Sequence, residues 1–92
     1  MDYFTEKQNT AIFTTRYIID QGSPILYVYH FDDGSWQFTG KENNLEDEDY
    51  KIVSLGEILA LDETLKVLGD LAEGYMAKRE ANRADWEIES LF

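Results

Sequence analysis

The sequence predicts an α+β domain: an antiparallel sheet of about five to six strands, with two short helices inserted before the last two strands. Three observations predict it. Residues 10–39 are rich in β-branched and aromatic side chains broken by turn residues. Between Ser54 and Leu71 the apolar period lengthens from 2 to 3.6. From Tyr75 to Glu89 the alternation returns. Strands before and after a helical segment place the helices on one face of an antiparallel sheet. At 92 residues the chain suits a single domain, residues 1–92, because two cores of half that size would each be too small.

The elements follow in order. Residues 1–9 are polar apart from Tyr3 and Phe4 and are expected as a loosely ordered lead-in. Thr10 to Asp20, with Ile12, Phe13, Tyr17, Ile18 and Ile19, has the composition of a strand. Gln21-Gly22-Ser23-Pro24 is a turn. Ile25 to Phe31 is a second strand with two substantial faces, Ile25, Tyr27, Tyr29 and Phe31 against Leu26, Val28 and His30, which suits a central position. Asp33-Gly34 is a hairpin signal, and Ser35 to Thr39 returns with Trp36 and Phe38 on one face. Residues 41–49 form an acidic loop without periodicity, and Tyr50 to Val53 is a short strand. Ser54 and Glu57 have capping-box spacing ahead of Leu55, Ile58 and Leu59. Asp62 is a second N-cap, ahead of Leu65, Leu68 and Leu71, with Gly69 or Gly74 ending the segment. The reading is two short helices bent at Leu61-Asp62, with one bent helix as the alternative. Tyr75 to Glu80 and Asp85 to Glu89 are the last strands, the latter with Trp86 and Ile88 inward.

The chain has 8 basic and 19 acidic side chains, a formal net charge of −11, one His and no Cys. Such a charge argues against binding a phosphate backbone, so no nucleic-acid partner is expected. Without Cys there is no disulfide framework and no thiolate metal site. No apolar run approaches the roughly 20 residues of a membrane span, and the N-terminus lacks the pattern of a signal peptide. The expected compartment is the cytoplasm. Most of the negative charge lies after residue 41, densest at Glu46-Asp47-Glu48-Asp49.

Little in the chain points to catalysis. His30 sits near Ser35, Asp32 and Asp33, but no strained nucleophile turn accompanies it. The run Glu46–Asp49 has consecutive acids and no central Gly, unlike an EF-hand loop, and no metal or cofactor is assigned. Asp85, Glu87 and Glu89 share a strand face that reads as the wet side of a sheet. Tyr27, Tyr29, Trp36, Phe38 and Trp86 would line a groove or, in a domain this small, build the core.

Thr14-Thr15-Arg16, the run from Gly22 to Tyr29, the run from Asp33 to Phe38, and the series Val53, Leu55, Ile58, Asp62, Leu65, Leu68, Leu71, Gly74, Ala77, Arg79 and Trp86 together form a pattern. Over about residues 11–88 it resembles a bacterial domain of unknown function grouped with the immunity proteins of polymorphic toxin systems. The order and spacing carry the resemblance more than any single motif. One departure is the short Asp33-Gly34 turn, where some relatives have a longer acidic insertion. The resemblance implies a non-enzymatic binding role, such as neutralising a toxin, and transfers no catalytic residue.

The leading expectation is therefore a protein-binding module for a more basic protein. Glu46, Asp47, Glu48 and Asp49 would be its steering patch, and Trp36 its anchor if the ring is exposed. Solubility alone is the competing account of the acidic run. The alternative function is a small hydrolase or metal-assisted enzyme using His30 and nearby carboxylates. A third reading is DNA mimicry by spaced carboxylates. An exposed edge strand would permit two-fold pairing, which the charge opposes.

Overall fold

The computed structural model describes Phe4 and residues 6–92. Its centre is a hairpin of β2 (Tyr27–His30) and β3 (Trp36–Thr39), in which Val28 faces Phe38 and His30 faces Trp36. The loop is one residue longer than a tight Asp-Gly turn. Phe31 N–H bonds Ser35 O at 2.9 Å and Gly34 N–H bonds Phe31 O at 3.0 Å. Gly34 takes φ 91°, and the Asp33 carboxylate accepts the Ser35 N–H and hydroxyl. This is a turn closed by a left-handed residue, which suits glycine because it has no Cβ.

Around the hairpin the sheet has six strands in the order β4-β1-β3-β2-β5-β6. β5 (Tyr75–Lys78) and β6 (Glu87–Ser90) extend it antiparallel on one side. On the other side β1 (Ala11–Thr15) lies parallel to β3, and β4 (Tyr50–Ser54) lies antiparallel to β1. The α+β class with a mostly antiparallel sheet is as the sequence predicts; the single parallel pair is not.

That difference begins at Arg16. The strand expected over 10–20 stops at Thr15, and residues Arg16–Gln21 form a helix, α1. Continued as a strand, Ile12, Thr14, Arg16, Ile18 and Asp20 would share one face and carry two charges into the core. The helix keeps Ile18 buried and leaves Arg16 and Asp20 exposed. Gly22, at φ 70°, ends it with a left-handed (αL) cap, Gly22 N–H on Ile18 O, and Ser23 N–H bonds Tyr17 O. Tertiary burial outweighs the weak strand preference of the isoleucines.

The helical layer forms where the spacing indicates. α2 (Leu55–Leu61) starts at Ser54, whose Oγ accepts the Glu57 N–H, and buries Leu55, Ile58 and Leu59. Asp62 then caps a second segment, Glu63–Asp70, by accepting the Thr64 N–H. There are thus two segments rather than one bent helix. The second is a 3₁₀ helix, and its three-residue repeat puts Leu65, Leu68 and Leu71 on one side. Backbone bonds from Leu55 to Thr10 and from Gly56 to Gln8 satisfy the first turn of α2 from the N-terminal segment. No described helix is long and apolar enough to cross a membrane.

These leucines and isoleucines cover the sheet face that bears Ile12, Val28, Phe38 and Ala77. Each wholly buried aliphatic side chain contributes about 1.5–3 kcal/mol. Trp36 lies at the heart of this layer. Its ring stacks on His30 at 3.8 Å between centroids, lies 5.0 Å from Phe4, and donates its Nε1 proton to Glu6 at 2.9 Å. Phe4 and Glu6 therefore bind the lead-in to the core. The rest of the expected loose lead-in that is not described, residues 1–3 and 5, lies outside the described residues.

Arg79 fixes the layers to each other. Its buried guanidinium donates to Ile25 O at 3.0 Å, Thr64 Oγ1 at 3.0 Å and Asp62 Oδ2 at 2.7 Å, and lies 4.1 Å over the Trp86 ring. Trp86 is half-buried against the core, as expected; Ile88 faces the same side as the buried Ala77 opposite it but stays 53 % exposed. The 3₁₀ helix does not reach over β6, whose four residues are all exposed.

Two substitutions test this architecture. Trp36→Ala is expected to lower unfolding free energy by about 3–5 kcal/mol, the usual cost of emptying a large aromatic site. Arg79→Ala is expected to lose a similar amount, about 3–5 kcal/mol, because Asp62 is left without its cation. Urea unfolding followed by circular dichroism checks both.

Candidate functional site

The sheet has a second face. Cross-strand register lines up Ile52, Phe13, Gln37, Tyr29, Met76 and Glu89 in one row across all six strands. A neighbouring row holds Tyr27 between Thr39 and Lys78, with Glu87 beyond. Directly opposed residues point the same way, so these side chains share the face opposite Val28 and Phe38. No described helix covers it. Ile52 is 66 % and Phe13 40 % exposed, and Tyr27, Tyr29 and Met76 are half-buried. Tyr29 and Phe31 stack in parallel at 5.8 Å.

The loop after β3 borders this face. Tyr27, Tyr29, Gln37, Leu45 and Tyr50 enclose with Gly40–Asn43 a depression of about 290 Å³. The Tyr29 phenol is pushed above its ordinary pKa, first by burial and then by the neighbouring Tyr27 and Tyr50. The three phenols offer ring faces and hydroxyls together.

The acidic segment is more ordered than its composition suggests. Ser23 Oγ donates to Glu42 at 2.9 Å, and Asp47–Asp49 form a single 3₁₀ turn. Glu46 and Asp49 cap each other, with the Glu46 N–H on Asp49 Oδ2 at 2.9 Å. Asp49 is 5 % exposed and bonds Arg16 Nε at 2.8 Å. It therefore belongs to the fold, joining α1 to the start of β4. Glu46, Asp47 and Glu48 stay exposed beside the open face. A run of four equivalent surface acids is thus corrected to three, because a cation and a turn claim the fourth.

Trp36 is also corrected as an anchor: at 1 % exposure it presents no ring to a partner. The aromatic set divides by strand parity, with Trp36 and Phe38 in the core and Tyr27 and Tyr29 on the open face. Phe13, Tyr50 and Ile52 were missed as surface residues. The available signal was a strand with large side chains on both faces, which in a sheet covered on one side leaves one set outside.

His30 is buried in the sheet rather than set in a cleft with Ser35 and Asp33. Its Nδ1 lies 2.7 Å from Leu71 O, so that nitrogen carries the proton, and its ring is stacked on Trp36. Asp33 bonds Ser35 rather than His30. Among the described residues no three His, Asp or Glu side chains gather where they would hold a metal ion.

The Asp49 carboxyl is held below the ordinary carboxylate pKa, first by the Glu46 N–H and then by Arg16. A lowered folded pKa means that the unfolded chain binds the proton more readily. Asp49 therefore stabilises the fold fully above about pH 5 and progressively less as pH falls below about 4. Asp49→Asn is expected to be less stable than the parent at neutral pH, with the gap closing as pH falls below the ordinary carboxylate range. Parallel urea titrations of the two proteins across pH check this. No protein-family model, curated protein or solved structure matches this chain.

Proposed function

We propose that this chain is a non-enzymatic protein-binding module that docks a more basic protein on the open face of its sheet. The observation that carries the reading is the uncovered row Ile52, Phe13 and Tyr29 in a chain of net charge −11. Exposed apolar and aromatic side chains that are contiguous, and bordered by charge, have the anatomy of an interface. Phenol rings are good partners for arginine, through stacking and cation–π attraction. Carboxylates flank the rings on both sides, Glu46, Asp47 and Glu48 by the loop and Glu87 and Glu89 on β6.

The division of labour follows from range. Exposed charges act over about 8–10 Å at physiological salt and raise the encounter rate. The aromatic row acts at contact and sets the dissociation rate. The sequence resemblance to immunity proteins supports a toxin as the basic partner, and the placement of His30 gives no support to a hydrolase.

The test uses three tagged proteins in bacterial lysate at low and moderate salt: the parent, Phe13→Ser/Ile52→Ser, and Glu46→Gln/Asp47→Asn/Glu48→Gln. The parent is expected to retain a basic protein that moderate salt releases. The Phe13/Ile52 variant is expected to lose it while remaining folded. With the captured protein purified, the acid-neutralised variant should associate about tenfold more slowly at low salt. Equal capture by the parent and the Phe13/Ile52 variant would refute docking on this face.

A further inference from the structure

A second contact surface lies at the sheet edge. Among the described residues β6 is the outermost strand and pairs only with β5. All four of its residues are exposed, and the Leu91 N–H on Gly74 O at 2.8 Å carries the pairing to the end of the strand. Its outer side thus leaves backbone N–H and C=O groups without a sheet neighbour.

The two faces of this edge differ. Glu87 and Glu89 point to the open face. Ile88 points the other way, towards a groove of about 460 Å³ lined by Val67, Leu68, Tyr75, Trp86 and Ile88. Val67 and Ile88 are each 53 % exposed and Tyr75 is 41 % exposed. An acid–apolar–acid strand lies beside an open apolar groove.

The inner neighbour of β6 shows what chemistry fits such an edge. On β5, Lys78 stands opposite Glu87, and its ammonium lies 3.2 Å from Glu89. The adjacent Ala77 stands opposite Ile88. β5 therefore presents a basic and an apolar residue to the carboxylate and isoleucine rows of β6. A strand added on the outer side would meet the same two rows, with groove space beyond Ile88 for a larger apolar side chain.

We propose that β6 accepts an added β-strand from a partner protein in which basic residues alternate with apolar ones. The basic residues sit against Glu87 and Glu89, and the apolar ones pack on Ile88 over the groove. A second copy of this chain is the wrong occupant. Antiparallel self-pairing would set the Glu87/Glu89 row against its own copy, in a chain already at −11. This contact goes beyond the open-face reading and does not require it.

The test uses a blocked heptapeptide alternating lysine and valine, and a block isomer of identical composition. Amide exchange and chemical shifts of the full chain are followed by NMR at low salt. The alternating peptide is expected to slow exchange of outward amides in Glu87–Ser90 by about tenfold or more at saturation. The block isomer should give no such protection. Ile88→Ser should weaken binding of the alternating peptide by about tenfold. Glu87→Gln/Glu89→Gln should weaken it and flatten its salt dependence. Phe13→Ser/Ile52→Ser should leave it unchanged, which separates this contact from the open-face reading. Equal protection by the two peptides, protection confined to the Phe13–Tyr29 row, or dimerisation through β6 without peptide would each overturn the proposal.

Discussion

The Arg79 guanidinium ties together three separate parts of the chain that also meet in the apolar core. Its donors reach the backbone ahead of β2, the junction between the helical segments, and Asn82 in the turn beyond β5. Its flat face lies on the ring that leads into β6. A lysine would supply the charge without this fixed fork of donors. Burial pushes the Asp62 carboxyl towards neutrality, but hydrogen bonds from Thr64 and Arg79 outweigh it and hold its pKa below the ordinary value. The same carboxylate also caps the 3₁₀ helix. One ion pair thus ties the helical layer to β2 and β5, on the sheet face that the buried leucines and isoleucines cover.

Charge outside that pair follows a different logic. Among the described residues four basic side chains, Arg16, Lys51, Lys78 and Arg79, are in ion pairs, with Asp49, Asp20, Glu89 and Asp62 as partners. Lys51 and Asp20, 3.8 Å apart and both largely in solvent, contribute little. Arg16 and Asp49 differ because the carboxylate is enclosed and its turn depends on it. With 19 acidic against 8 basic side chains, carboxylates dominate the charge of the chain, including those beside the open face.

Much of the fold was legible because local chemistry and global packing agree. Ser54 and Asp62 cap where their spacing indicates, and the Leu55–Leu59 and Leu65–Leu71 stripes are buried. Residues 16–20 were misread because their composition favours a strand, whereas their charges tolerate only a helix at that place. The parallel β1–β3 pair could not be seen from alternation, since period 2 is the same in either direction. The candidate site was half legible. Acid density marked Glu46–Glu48, but Asp49 differs from them only through its contact with Arg16, 33 positions earlier. Trp36 and Tyr29 are both aromatic strand residues, and only the placement of the helices makes one core and the other surface.

The parallel pairing of β1 also constrains how the protein is made. Among the described strands β1 comes first in the chain, yet it is an interior strand, set between β3 and β4. Phe13 must wait for Gln37 on one side and Ile52 on the other. Through that interval the emerging chain carries the Ile12 and Phe13 backbone without a ladder, while the β2–β3 hairpin closes over a short loop. Pairings at such sequence separation form late, because the loop must be closed before any contact rewards it. Until β3 and β4 are in place β1 has no partner on either side, whereas the β2–β3 hairpin needs only its own short loop.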